Sequence, residues 1–265
     1  MLMVDKDEVK YIYKAIVCNL KKIVEYKLSF ISQTIMMFIN NIFFLIFWSI
    51  TFKVSGNNLE FTMKNILYLW SISTIAFGIC KVVLGGIDNI NKYFISGDMD
   101  SYLTQPKNVF INIATSKCHF SAFGDFLYGI IIGIIVAENL LNFLVIIMYG
   151  IFASIIYASI MTTIRSLVVF IGDVDELADK YEHTFLINFC LYPEELFGKL
   201  TKVILYTIIP VGYIVYMPVK NLFSFNIWNL FIIFIATIIY VIIAKIMFNK
   251  VLKKYESGNS ISLKV

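Results

Sequence analysis

Residues 227–248 read IWNLFIIFIATIIYVIIAKIMF, an almost unbroken apolar run rich in isoleucine whose one charge is Lys245. A run of this kind exceeds the roughly 18–20 residues that cross a hydrocarbon core of about 30 Å, so it reads as a membrane span. The rest of the chain agrees. Of 265 residues, 59% are hydrophobic and 15% charged, with a mean hydropathy of +0.81, whereas soluble domains carry roughly 25% charged residues. Water is not the main solvent of this chain, and its fold class is all-α integral membrane, with about six spans by the length rule.

Working back from that run, the same criterion predicts spans at 28–52, 65–86, 118–137 and 142–171, with a fifth beginning at Thr184 and meeting Pro193 soon after Leu191. The charged connector GDVDELADKYEH, residues 172–183, leads into it. Between residues 192 and 218, short apolar pieces alternate with Pro193, Gly198, Pro210 and Pro218. Proline removes a backbone donor and clashes with the preceding turn, so these pieces are expected to dip into the membrane and return as a re-entrant helical hairpin between spans five and six.

At the N-terminus, residues 1–27 place Val9, Ile12, Ala15, Ile16, Leu20, Ile23 and Val24 near one helical stripe, with Lys10, Lys14, Lys21 and Lys22 off it. That pattern fits an amphipathic interfacial helix or a short helix packed on the rest of the protein. It lacks the compact apolar core of a removable signal peptide, so the first span is expected to be retained. The membrane domain then covers 28–253 and a Lys-bearing tail 254–265. With six crossings and both termini cytoplasmic, 17 of the 22 basic residues fall inside, which is the bias expected of cytoplasmic segments.

Motifs for chemistry are missing. The chain has no G-x-x-x-x-G-K-[ST] phosphate loop, and Gly198-Lys199 lacks both the upstream glycine and the following hydroxyl residue. His119 and His183 stand alone, without partners at metal or triad spacing, and Cys18, Cys80, Cys118 and Cys190 are far apart. The expectation is a protein that is not itself an enzyme, holds no metal and has no nucleic-acid partner.

The loop at 89–106 is more informative. Its segment Ile95-Ser-Gly-Asp-Met-Asp-Ser-Tyr-Leu-Thr-Gln-Pro106 combines helix-start chemistry, in Ser96 or Asp98 as cap and Asp100 in the first turn, with a stop at Pro106. A short cytoplasmic helix is predicted, presenting Ile95, Met99, Tyr102 and Leu103 to a partner's groove or simply reconnecting two spans.

The G-D-M-D-x-Y-L-x-Q-P segment at 97–106, Gly124-Asp125, Tyr192-Pro193 and the late Pro210 and Pro218 together resemble the membrane subunit of a type-2 ABC exporter. The resemblance covers nearly the whole chain. It implies a cytoplasmic coupling helix between spans two and three, docking on a separate ABC ATPase subunit through Ile95, Asp98, Met99, Asp100, Tyr102 and Leu103. ATP and Mg would belong to that partner, with no cofactor in this chain. It also implies a second permease chain, identical or a close paralogue, in a bacterial cell membrane whose lipids surround both. Substrate does not follow from family membership.

Asp125 and Arg165 are the intramembrane charge candidates, at similar expected depth. Such residues face partners or water, so they are candidates for a mutual pair at a gate or substrate contact, or for interhelical anchors. Gly129 and Gly133 form a G-x-x-x-G face suited to close helix packing, within one chain or between two. An ion-coupled secondary transporter using Asp125 and Arg165, or a non-transporting scaffold, are the competing readings.

Overall fold

The computed structural model describes residues 6–55 and 59–255. The remaining residues, which include the start of the expected N-terminal helix and nearly all of the C-terminal tail, lie outside the described residues. All regular structure among the described residues is helical.

The amphipathic α1 (Lys6–Glu25) leads almost directly into α2 (Lys27–Ser55), and α3 spans Met63–Val83. A 3-10 turn, Gly85–Asn89, opens the loop that carries α4 (Ile90–Ser96), α5 (Met99–Leu103) and α6 (Val109–Ala114). Then come α7 (Ala122–Val136), α8 (Leu140–Arg165), α9 (Val168–Ile171) and α10 (Asp175–Lys180), the last continuing through a π-helical turn, Tyr181–Ile187, into α11 (Asn188–Leu191). After a 3-10 turn, Glu194–Leu196, α12 (Lys199–Thr207) and a π-turn, Gly212–Tyr216, lead to α13 (Met217–Phe223) and α14 (Ile227–Lys254).

Among the described residues, α2, α3, the α8–α9 run Leu140–Ile171 and α14 are long and apolar enough to cross a bilayer. A fifth crossing arises if the pair Lys199–Thr207 and Gly212–Phe223, bent by 88°, counts as one span. The expected third and fifth spans differ from plain helices. α7 has 15 residues, about 22 Å of rise, because the backbone N–H of His119 is drawn to the carbonyl of Lys81 at 3.1 Å and residues 117–121 stay non-helical. The stretch expected as a charged connector is itself helical from Asp175, with Asp175, Asp179 and Glu182 taken up by basic partners on other elements.

α3 is the centre of the packing, flanked by α7 and α8, while α2 lies on α7 and α14 on α8. The close approach of α7 to α3 depends on the absence of side chains at Gly129 and Gly133. A Cβ on Gly129 would come within 2.5 Å of Thr74 Oγ1, and one on Gly133 within 2.8 Å of Ser71 Oγ. Ser71 Oγ donates instead to the carbonyl of Gly129 at 2.8 Å. The G-x-x-x-G face therefore packs within this chain.

Contacts sort the helix ends into two sets. At one end of the bundle, the Lys64–Glu138 ion pair joins the start of α3 to the end of α7. There too Tyr68 donates to Asn142 Oδ1 at 3.2 Å and packs edge-on against Phe223. Glu194 and Lys220 pair at 2.5 Å, bringing together the two ends of the bent segment. At the other end, Asn91 Nδ2 donates to Asp173 Oδ1 at 3.3 Å and Tyr255 Oη to the carbonyl of Gly97 at 2.9 Å. α1 packs at this second end, where Asn19 Nδ2 donates to the carbonyl of Thr115 at 2.9 Å and Lys107 lies over the Tyr11 ring.

Candidate transport cavity and coupling region

Lys81 ends α3 within an apolar run, where an ammonium needs a partner. Its Nζ donates to both carboxylate oxygens of Asp88, at 2.8 and 2.7 Å, and pairs with Glu182 in the π-turn. Glu182 Oε1 also accepts from the hydroxyl of Tyr157, midway along α8, and Asp88 Oδ2 lies 3.0 Å from His119 Nε2. Lys81 and Glu182 are buried. Burial alone would raise the Asp88 pKa, but the His119 hydrogen bond and the Lys81 charge outweigh it and draw the carboxyl down to about 2. The network links the start of the 85–106 loop to α8 and to the wall of the bundle. Sequence reasoning missed it, although a lysine inside an apolar run, seven residues before an aspartate, was a usable signal.

Arg165 closes α8 with a second cluster. Its guanidinium donates to Asp175 Oδ1 at 2.5 Å and Asp179 Oδ1 at 2.6 Å. Asp125, in the first turn of α7, accepts from Asn41 Nδ2 of α2 at 2.9 Å. The envisaged Asp125–Arg165 pair is therefore not formed. Arg165 has two nearer carboxylates because the expected connector folds back as α10, while Asp125 faces α2.

Asp125 borders a cavity of 480 Å³ walled by α2, α3 and the Tyr181–Leu191 run. Phe44 and Trp70 stack there with centroids 4.3 Å apart, and Phe77, Tyr157 and His183 complete much of the lining. Tyr157 is thus shared between the cavity and the Lys81 network.

The 85–106 loop departs from the single exposed helix expected. Gly97 adopts φ +81° and ends α4, so the segment breaks into α4 and α5. Ser96 and Asp98 bond to one another, Ser96 Oγ donating to Asp98 Oδ2 at 2.7 Å, and no side-chain cap forms on α5. Met99 is fully buried, which corrects its expected place on the surface: the break at Gly97 turns α5 so that Met99 enters the core. Ile95 and Tyr102 are half-buried, Tyr102 against the Tyr93 ring at 5.0 Å, while Asp98 and Leu103 are exposed. The six residues assigned to docking thus divide between packing and surface.

A helical bundle with several bilayer-length apolar helices, a polar loop fixed at one end and an apolar cavity within defines a multi-pass membrane protein. The chain belongs to the ABC-2 transporter family as a membrane permease subunit: residues 38–259 match the family described as ABC-2 family transporter protein. Neither the curated proteins nor the solved structures contain a match.

Proposed function

We propose that this chain is the permease subunit of an ATP-driven exporter in a cell membrane. It works with a separate ATPase that carries ATP and Mg, and with a second permease chain. The observation that carries the reading is the 85–106 loop, which exposes Asp98 and Leu103 while its base is tied by Lys81, Asp88 and Glu182 to the helices that wall the cavity. A push on the exposed part is thereby transmitted to the cavity through a connected set of buried side chains.

The two-ended sorting of contacts supports six crossings by α2, α3, α7, α8–α9, α10–α11 and α14, with the loop and both termini on the cytoplasmic side. The Glu194–Lys220 pair supports reading the bent α12–α13 segment as re-entrant, since it closes that segment on one side.

The test is co-purification of the full chain with its ATPase, followed by ATP turnover in lipid vesicles. Asp98→Arg and Leu103→Asp alter exposed groups only. The expected result is weakened ATPase association, with loss of transport-coupled turnover. Unchanged association and turnover in both variants would refute ATP-driven coupling through this loop.

A further inference from the structure

The cavity beside Asp125 has a volume of 480 Å³, within the roughly 300–1,000 Å³ of small-molecule sites. Its lining is mainly apolar, with the rings of Phe44, Trp70, Phe77 and Tyr157 prominent. Such walls alone would accept any apolar guest, and the carboxylate narrows the choice. Asp125 is 5% exposed, its Oδ1 takes the Asn41 amide, and its Oδ2 has no hydrogen-bond partner among the described residues.

A buried carboxylate with one neutral donor is costly to keep charged unless a cation faces it. The buried cations among the described residues are committed elsewhere, Lys81 to Asp88 and Glu182 and Arg165 to Asp175 and Asp179. His183 also lines the cavity but is exposed and makes no ion pair among the described residues. The compensating charge is thus one that a guest can bring. A small hydrated metal ion would find a single carboxylate and amide oxygens, too few to replace its water shell. An organic cation meets the site on both counts, because its charge sits opposite Oδ2 and its body gains apolar and cation–π contact from the rings.

We infer that this cavity is the binding site for a lipophilic organic cation, held by Asp125 Oδ2 and enclosed by Trp70, Phe44 and Tyr157. Resting on the transporter reading proposed above, the inference makes that chemical class the transported substrate.

The probe is tritiated tetraphenylphosphonium, bound at equilibrium to the full-length chain purified in detergent without ATPase or nucleotide. Neutral triphenylphosphine oxide serves as the control. The wild type should bind the cation saturably and at least tenfold more tightly than the neutral probe. Asp125→Asn should abolish that preference while still binding the neutral probe, which shows that the cavity has formed, and Asp125→Glu should restore cation binding to within about threefold. Equal affinity of the two probes in the wild type, or undiminished cation binding in Asp125→Asn, overturns the assignment. Should Asp125→Asn lose the neutral probe as well, the wild-type preference decides alone. Because no ATPase is present, failure here leaves the ATP-driven reading standing, and failure of ATPase association leaves this result standing.

Discussion

Lys81 illustrates how a single side chain in an apolar run organises its surroundings. It sits between Asp88 and Glu182 with 8% of its side chain exposed, so Lys81→Met would leave two acidic groups without their cation. Breaking a buried ion pair from one side costs on the order of 3–5 kcal/mol. The variant should show a clearly lowered melting temperature in detergent, and an unchanged one would mean the network adds nothing to stability. The sign of the acid response follows from Asp88. Its carboxyl is held at about 2 in the folded protein against an ordinary value of 3.8, so its contribution is complete above the ordinary value and is lost as the pH falls toward 2. Asp88→Asn should therefore be less stable than wild type at pH 6, with the gap closing between about pH 4 and 2 in unfolding experiments. An offset that stays constant across that range would exclude the linkage.

At the scale of elements, the 85–106 loop shows what a linear reading captures and what it loses. Helix-start residues and Pro106 marked a short helical loop, and the fold places one there. What the linear pattern could not show is that Gly97, in a left-handed conformation open to glycine, rotates α5 and buries Met99. Face assignment in so short a helix depends on the incoming backbone direction, which is a tertiary property. The consequence is a division of labour. Met99→Ala should cost about 2–5 kcal/mol of stability as a core truncation. Leu103→Ala, with the residue 42% exposed, should change stability by no more than about 0.5 kcal/mol yet weaken ATPase binding. The two effects separate in a melting curve and a pull-down, and equal melting of the two variants would contradict the placement of Met99. Tyr255 braces the same break from the end of α14, its hydroxyl donating to the carbonyl of Gly97. Tyr255→Phe removes a bond worth about 1 kcal/mol, so amides of residues 98–103 should exchange several-fold faster with solvent. Exchange at the wild-type rate would show that the tail does not hold the loop.

For the whole molecule, apolar length identified α2, α3, α8 and α14 because those helices satisfy their own backbone and meet few breaks. The same measure began the fifth apolar segment only at Thr184, since it treats every charge as a sign of water, whereas the helical run starts at Asp175 and continues to Leu191. There Asp175, Asp179 and Glu182 are absorbed by Arg165 and Lys81, on elements distant in sequence, and no local window contains both partners. The Asp125 cavity was equally out of reach, because its lining comes from six separated parts of the chain. The sidedness that emerges is open to direct measurement. If α12 and α13 form a re-entrant hairpin, Gly198 and Ser224 lie on one side of the membrane; if they form one bent crossing, they lie on opposite sides. Both positions suit a probe, since a Cβ at Gly198 meets nothing within 4 Å and Ser224 is exposed. In a background carrying Cys18→Ser and Cys118→Ser, Gly198→Cys, Ser224→Cys and Glu138→Cys should all react with an impermeant maleimide from the outside of intact cells. Ser101→Cys should react only after permeabilisation. Labelling of Gly198→Cys and Ser224→Cys from opposite sides would make the segment a crossing, move α14 to the other orientation and separate Tyr255 from the Gly97 carbonyl it now contacts, so the contact map and the labelling pattern stand or fall together.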